Sequence, residues 1–230
     1  MVDKNFFSAV IATVFFCAVP VPLRAGEGKI IRYVPIGDSY TIGTGVLPRQ
    51  SWVAVLTEHL RAEGMDIRLI VNPARPGWTT DHAIQFELPV FEKSKPDFAT
   101  VMIGTNDCAR EMEPRRFRAN FARLLDAMLA VLPGPRRLLV VNIPDFSLSP
   151  SWRMYDEANG AAKRIAAFNA IIADESRKRR LAVVDIHAVS QNMKDDPALF
   201  ARDGLHPSAK GYALFEAAVY PHAKKLLGNK

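Results

Sequence analysis

The amino-acid sequence predicts an α/β fold, a three-layer α/β/α sandwich in which a five-stranded parallel sheet lies between two layers of helices. The first observation is that five short apolar runs alternate with stretches of helical periodicity, which is the pattern of successive βαβ units. The second is that no linker interrupts this alternation, and 230 residues are enough for one good core. We therefore expect a single domain over residues 26–230.

The N-terminal segment differs from the rest of the chain. Residues 6–23 are almost wholly apolar, and residues 24–26 are small or polar. This layout is typical of a secretory signal peptide, so residues 1–25 are predicted to be one, with cleavage after Ala25, in a secreted or periplasmic protein. An uncleaved membrane anchor is the alternative, and two prolines near the end of the apolar run favour cleavage.

The chain is basic, and its basic residues are clustered. Cleavage after Ala25 would remove two of the 30 basic and one of the 24 acidic residues, which lowers the formal net charge from +6 to +5. Clusters at residues 115–118, 136–137 and 177–180 resemble those of nucleic-acid-binding proteins. The last cluster, however, ends a predicted helix, where cations suit the helix dipole. We expect no nucleic-acid partner, and a weak preference for anionic lipid headgroups stays open.

Cysteine usage and motif content exclude several classes of protein. Only Cys108 would remain after cleavage, so the fold is expected to form without an internal disulfide. The sequence has no HExxH, CxxC or P-loop motif, which are common signatures of metal and nucleotide sites.

The strands are predicted from short apolar runs that end at turn residues. The first run stops abruptly at Gly37, which favours a buried strand leading into a tight turn. The five predicted strands are Ile30–Ile36, Ile67–Val71, Phe98–Ile103, Leu138–Asn142 and Leu181–Ile186.

The helices are predicted from apolar residues at helical spacing and from start and stop signals. Gly64 ends the first helix, and Ser208 is a good N-cap for the last. The loop after the second strand contains Pro73 and Pro76, which exclude a helix or a central strand there. Residues 143–154 are also expected to be irregular. The five predicted helices are Trp52–Glu63, Asp81–Phe91, Pro114–Leu132, Glu157–Arg179 and Ser208–Leu227.

Polar residues and a glycine follow the strands at the edge where chemistry is expected. Ser39 follows the first strand, Gly77 lies in the loop after the second, and Asn106 follows the third. Asp203 and His206 precede the last helix. Because open α/β sheets bind ligands at the carboxyl ends of their strands, we expect these five residues to converge.

Together these residues meet the needs of acyl transfer. A serine hydroxyl is a weak nucleophile at neutral pH, so Ser39 needs a base, which His206 can supply. Asp203 can hold the imidazole in the required tautomer. The oxyanion needs preorganised donors, and the backbone N–H groups of Ser39 and Gly77 and the side-chain amide of Asn106 are three such donors.

Four sequence blocks carry a family resemblance. They are Gly37-Asp38-Ser39-Tyr40, Pro76-Gly77-Trp78-Thr79-Thr80, Gly104-Thr105-Asn106-Asp107 and Asp203-Gly204-Leu205-His206-Pro207. With these four blocks in this order, the sequence resembles the SGNH hydrolases of the GDSL esterase/lipase type. It departs from the common pattern at Tyr40, where many members have leucine, and at Pro76, where a small or polar residue is common.

The resemblance implies a flavodoxin-like fold, no metal and no cofactor. It implies a catalytic triad of Ser39, Asp203 and His206, with the oxyanion hole formed by Ser39, Gly77 and Asn106. Other polar residues near strand ends are expected to be structural: Asp185 and His187 to satisfy local backbone groups, and Cys108 to be a small buried neighbour of the site.

The expected substrate is a small-molecule ester. The leading hypothesis is a secreted serine ester hydrolase of carboxylic esters or thioesters, with lipid-like or simple acyl groups. The alternatives are a carbohydrate O-acetylesterase, a non-catalytic binding protein, and transfer to an acceptor other than water. Transient contact with membrane lipid or cell-wall glycan is compatible with these hypotheses. An apolar lining suits an acyl chain, and the candidate pocket residues are Ile42, Val46, Leu47, Trp78, Ile143, Phe146, Trp152 and Leu205.

Overall fold

The computed structural model describes residues 30–156 and 160–228. Five parallel strands form one sheet in the order β2-β1-β3-β4-β5, which confirms the predicted α/β/α architecture. The predicted signal peptide lies outside the described residues. The strands are β1 (Ile31–Gly37), β2 (Ile67–Leu69), β3 (Phe98–Met102), β4 (Leu138–Val141) and β5 (Ala182–Val184).

Helices cover both faces of the sheet. They are α1 (Ser39–Ile42), α2 (Trp52–Ala62), α3 (Thr80–His82), α4 (Leu88–Ser94), α5 (Thr105–Ala109), α6 (Pro114–Val131), α7 (Pro150–Asp156), α8 (Ala161–Lys178), α9 (Ile186–Gln191) and α10 (Ala209–Gly228).

Two apolar cores flank the sheet because successive strand residues point to opposite faces. Val34 of β1 packs in one core with Phe117 of α6 and Phe168 of α8. Its neighbour Tyr33 packs in the other core with Leu56 of α2 and, among others, residues of α10. Each fully buried side chain of this size contributes about 1.5–3 kcal/mol, so the sheet is anchored from both sides.

The strand order creates a crevice at the carboxyl end of the sheet. β2 pairs with one edge of β1 and β3 with the other, and all pairs are parallel. The connections that leave β1 and β3 therefore go to opposite sides of the sheet. They diverge at the carboxyl ends of these two strands, which leaves a crevice there. The order is that of flavodoxin-like sheets, and the crevice lies between the loops that carry Ser39 and Asn106.

Short helices occur where the sequence analysis predicted loops or irregular chain. Helices α1, α5 and α9 are too short to show helical periodicity in the sequence. Side-chain caps start two of them, since Asp38 accepts a hydrogen bond from the Tyr40 amide and Asp185 from the Ala188 amide. The prediction of an irregular segment at 143–154 was wrong in part, because α7 begins at Pro150.

Other boundaries shift by a few residues. The second predicted helix begins at Thr80, runs to Ser94, and contains a π-helical turn at Ala83–Glu87 between α3 and α4. Strand β2 ends at Leu69, before the predicted Val71. The start of the fourth predicted helix, residues 157–159, lies outside the described residues. Such shifts do not change the topology.

We also searched the described part of the chain for membrane-spanning segments. None of its helices combines the length and the apolar character that crossing a bilayer requires.

Candidate active site

The turn after β1 presents Ser39 at the start of α1. Asp38 caps this short helix by accepting a hydrogen bond from the Tyr40 amide at 3.0 Å. Gly37 is required just before it, because a Cβ there would lie 2.0 Å from Thr41 Oγ1 and 2.5 Å from the Met102 carbonyl oxygen. Only glycine lets the chain pass so close to β3, so the local sequence fixes where Ser39 emerges.

The loop before α10 holds the histidine and the aspartate against each other. Asp203 Oδ2 lies 2.7 Å from His206 Nδ1, and Asp203 Oδ1 accepts hydrogen bonds from the Leu205 and His206 amides at 3.0 Å each. Partial burial raises the pKa of the Asp203 carboxyl, but these hydrogen bonds outweigh it, and the pKa lies below its ordinary value. Asp203 therefore stays ionised near neutral pH and holds the imidazole through Nδ1.

Aromatic rings bring this loop to the turn after β1. The rings of Tyr40 and His206 have centroids 5.2 Å apart, and Phe215 of α10 stacks on Tyr40 from farther away. Tyr212 Oη of α10 donates hydrogen bonds to the carbonyl oxygens of Ser39 and Thr44. The tyrosine that departs from the usual sequence pattern thus packs against His206.

The serine and histidine side chains are not yet joined by a hydrogen bond. Within residues 30–156 and 160–228, the Ser39 hydroxyl forms none with His206. Catalytic hydrogen bonds are often long in the free enzyme and shorten when substrate binds. The geometry therefore brings the two residues to one edge of the sheet without completing their contact.

The loop after β2 meets the end of β3 at Asn106. The Asn106 Nδ2 group donates to the Trp78 carbonyl oxygen at 2.9 Å and lies 3.5 Å from Asp38 Oδ2. Gly77 has a φ of +79°, in the region that favours glycine. The loops that carry Ser39, Gly77 and Asn106 thus lie close together at this edge of the sheet.

Buried carboxylates underlie this edge of the sheet. Burial raises the pKa of Asp38 to about 7, opposed by its hydrogen bond with the Tyr40 amide and reinforced by the negative charge of Asp107. Burial likewise raises the pKa of Glu87 to about 8, opposed by the Gly37 amide and reinforced by Asp38. The Asp107 carboxylate, whose pKa is raised by burial, accepts hydrogen bonds from the Thr80 amide and hydroxyl.

The predicted pocket residues lie in several places. Ile42 ends α1, Ile143 is fully buried in the core, and Trp152 packs edge-on against Phe146.

The other predicted pocket residues line two different cavities. Val46 and Leu47 line an open groove with Phe200 and Arg202. Phe146 and Leu205 line a small cavity with Tyr40 and Met193.

The remaining predicted pocket residue, Trp78, directly follows Gly77 in the loop after β2. Its ring lies 6.1 Å from that of His82, at an angle of 10°, and 5.5 Å from that of Phe86. Phe86 is 45% exposed. These rings form an aromatic surface that starts next to Gly77.

Residues expected to be structural have structural contacts. Asp185 caps α9 and accepts a hydrogen bond from Asn142. The amide of His187 donates to the Asn142 side chain. Cys108 is fully buried.

Sequence reasoning missed two residues that hold the site. Glu87 accepts a hydrogen bond from the Gly37 amide at 2.9 Å, and Arg110 donates to the Gly77 carbonyl oxygen at 2.9 Å. A signal existed for each. Glu87 lies four residues from Ala83 and from Phe91, on the apolar face of its helix, and Arg110 lies four residues after Asn106.

Comparison with known proteins agrees with this geometry. Residues 36–214 match the model of the GDSL-like lipase/acylhydrolase family. Esterase TesA of Pseudomonas aeruginosa is 26% identical over 192 residues, which are 84% of this chain and 87% of that protein.

Solved structures show the same fold. A lipase/acylhydrolase from Enterococcus faecalis superposes with a TM-score of 0.70 at 23% identity, covering 85% of this chain and 96% of that one. Axe2, an acetylxylan esterase from Geobacillus stearothermophilus, superposes with a TM-score of 0.67 at 21% identity, covering 84% and 94%. With most of its length matched by the family model, the chain belongs to the GDSL-like lipase/acylhydrolase family of carboxylic ester hydrolases.

Proposed function

We propose that the protein is a serine ester hydrolase that works through an acyl-enzyme on Ser39. The observation that carries this proposal is the 2.7 Å contact between His206 Nδ1 and Asp203 Oδ2. It fixes one imidazole tautomer and leaves Nε2 as the ring nitrogen that can take a proton from a hydroxyl. The same loop packs against the turn that carries Ser39.

The proposed reaction has two matched halves. Ser39 Oγ attacks the ester carbonyl carbon while its proton passes to His206 Nε2. The oxyanion accepts hydrogen bonds from the Ser39 and Gly77 amides and from Asn106 Nδ2. The C–O bond then breaks, and the leaving alkoxide takes the proton from His206. A water molecule repeats the sequence on the acyl-enzyme, which releases the acid and free Ser39.

The first test is hydrolysis of p-nitrophenyl esters from acetate to palmitate by the wild-type protein and its Ser39→Ala and His206→Ala variants. We expect both variants to lose nearly all turnover, because each lacks one partner of the proton transfer, while their melting temperatures stay near that of wild type. His222→Ala is the matched control, since His222 is an exposed histidine on α10 and its loss should leave turnover unchanged.

Two outcomes would contradict the proposal. A Ser39→Ala protein with wild-type turnover would exclude the acyl-enzyme on Ser39. A folded wild-type protein that neither hydrolyses any ester nor reacts with a serine-directed fluorophosphonate would support the alternative of a non-catalytic binding protein.

The ester series also tests the substrate class. Lipid-like or simple acyl esters and thioesters are our first choice, because Tyr40, which packs against His206, lines a small and mostly apolar cavity with Phe146 and Leu205. A carbohydrate O-acetylesterase is the second candidate. The aromatic surface of Trp78, His82 and Phe86 beside Gly77 favours it, since aromatic rings bind sugar faces. An optimum at acetate, with activity on acetylated glycans, would support the second candidate, and an optimum at longer chains the first.

We also propose that residues 1–25 are a signal peptide and that residues 26–230 are the exported domain. The apolar run at residues 6–23 supports this. The test is N-terminal sequencing of the full-length chain after expression in a bacterium with an intact secretion pathway. We expect the exported protein to begin at Gly26; a protein that stays in the membrane with Met1 in place would be an anchored one.

A further inference from the structure

The feature behind this inference is the turn from Asn106 of α5 to Arg110, the residue that caps its C-terminus, which holds two successive carbonyl groups of the loop after β2. Asn106 Nδ2 donates to the Trp78 carbonyl oxygen at 2.9 Å. One turn later, the Arg110 guanidinium donates through an Nη atom to the Gly77 carbonyl oxygen, also at 2.9 Å. Residues four apart lie on the same face of a helix, and the Arg110 amide bonds to the Asn106 carbonyl oxygen at 3.0 Å, which keeps this turn helical.

The loop needs such support because of its own sequence. Gly77 has a φ of +79°, and a residue without Cβ has many other conformations available. The backbone of the loop contributes one turn hydrogen bond, from the Trp78 amide to the Arg75 carbonyl oxygen at 3.3 Å. The Gly77 carbonyl group belongs to the peptide between Gly77 and Trp78, and the Arg110 guanidinium is the side-chain donor that holds it.

Asn106 holds the loop through only one of its side-chain donors. Its amide group has two N–H donors. One is used on the Trp78 carbonyl oxygen, and the other faces Asp38 Oδ2 at 3.5 Å, which is too long for a strong hydrogen bond. This second donor is therefore only weakly engaged, while Arg110 holds the neighbouring Gly77 carbonyl group.

We propose that Arg110 is a positioning residue that orients Gly77 beside the Asn106 amide group, so that both can serve as oxyanion donors. The inference rests on the proposed function. Arg110 is exposed, and among the described residues no carboxylate forms an ion pair with it. Its guanidinium therefore serves the loop instead of a salt bridge, and a fixed donor geometry is what oxyanion stabilisation requires.

The experiment compares kcat and KM of wild type, Arg110→Ala, Arg110→Lys and Arg115→Ala on one p-nitrophenyl ester. Arg115→Ala is the matched control, because it removes an equally exposed arginine from the start of α6. We expect kcat of Arg110→Ala to fall at least about tenfold with KM within about twofold, as for a group that acts only in the transition state. The kcat of Arg110→Lys should lie between those of wild type and Arg110→Ala, because an ammonium group keeps the charge but lacks the planar guanidinium geometry.

A chemical rescue separates positioning from general stabilisation of the fold. Guanidinium chloride, well below denaturing concentrations, should restore part of kcat to Arg110→Ala and none to Arg115→Ala. Recovery by the free cation requires a folded variant with a vacant donor site, so it also excludes misfolding as the cause of low turnover.

Each remaining outcome has a defined meaning. If Arg110→Ala keeps kcat within about twofold of Arg115→Ala, or if the change falls on KM alone, the positioning role is wrong. If Arg110→Ala does not fold, Arg110→Lys decides by the same criteria. If wild type fails to hydrolyse esters and Ser39 resists fluorophosphonate labelling, the proposed function fails and this inference falls with it, whereas an active wild type with an unaffected Arg110→Ala overturns the inference alone.

Discussion

Single carboxyl groups shape the backbone around Ser39. Asp38 accepts a hydrogen bond from the Tyr40 amide. Glu87 accepts one from the Gly37 amide, and Asp107 accepts one from the Thr80 amide. All three are buried, and burial raises the pKa of each. A buried carboxylate is costly unless it is well hydrogen-bonded, and Glu87 Oε1 has no partner among the described residues. The loops of the site are therefore held at a cost in stability that depends on pH.

The substitution Glu87→Gln should reduce the pH dependence of the free energy of unfolding. The pKa of Glu87 is about 8 in the folded chain against an ordinary value of 4.5, so the folded state binds more protons than the unfolded state between these values. The free energy of unfolding must then fall as pH rises from about 4.5 to about 8. A glutamine still accepts the Gly37 amide but cannot ionise, so the variant should match wild type near pH 4.5 and exceed it by up to a few kcal/mol near pH 8.

The measurement is denaturant unfolding of both proteins at several pH values. Asp38, which faces Glu87, titrates in both proteins, so some pH dependence remains in the variant. Glu92→Gln, on the exposed side of α4, is the control and should follow wild type. Equal slopes of stability against pH for wild type and Glu87→Gln would show that Glu87 does not titrate in this range.

The sequence allowed some of these residues to be predicted and hid others. Ser39, Asn106 and His206 stand in motifs whose spacing and order point to acyl transfer, and the structure brings them to one edge. Glu87 was hidden because a single acid within an apolar stripe is a weak signal, and its partner is a backbone amide fifty residues away. Arg110 was hidden for the same reason, since its acceptor is a carbonyl group of a distant loop.

Among the elements, the turn from β1 into α1 has the least room for change. Gly37 ends β1 beside Met102 of β3, with Thr41 of α1 above it. The helix that follows has only four residues, so it depends on the Asp38 cap and on its surroundings more than on helix propensity. A small displacement of this turn would move the nucleophile directly.

Gly37→Ala should therefore lower both stability and turnover. The new methyl group would overlap Thr41 Oγ1 and the Met102 carbonyl oxygen, and overpacking of this kind costs about 1–3 kcal/mol. Differential scanning calorimetry and ester hydrolysis measure the two effects. Gly228→Ala is the control, because nothing lies within 4 Å of a Cβ at that position; a Gly37→Ala protein as stable and active as this control would refute the prediction.

Elements could be predicted from the sequence in proportion to their length and regularity. The long helices α6 and α10 matched the prediction within two residues at each end, because their apolar stripes repeat over several turns. Helices α1, α5 and α9 could not be predicted, since side-chain caps and tertiary contacts decide such short elements. The π-helical turn at Ala83–Glu87 also has no signal in the sequence periodicity, yet it places Glu87 where the carboxylate accepts a hydrogen bond from the Gly37 amide.

At the scale of the whole molecule, the sheet order explains why distant residues meet. β1 lies between β2 and β3, so the loops after all three strands open onto one crevice. The last loop and α10 then approach from the α2 side, where the two helices share a core. Alternating strands and helices predicted the parallel sheet, whereas the order of the strands followed only from the family resemblance, and the observed pairing confirms it.

The contact between α10 and the nucleophile turn has a consequence for biosynthesis. Tyr212 donates to the carbonyl oxygens of Ser39 and Thr44, and His206 enters only with the loop before this helix. Domains generally fold as units during synthesis on the ribosome. This domain cannot assemble the complete site until α10 has emerged, so hydrolytic activity is expected to begin only after that point.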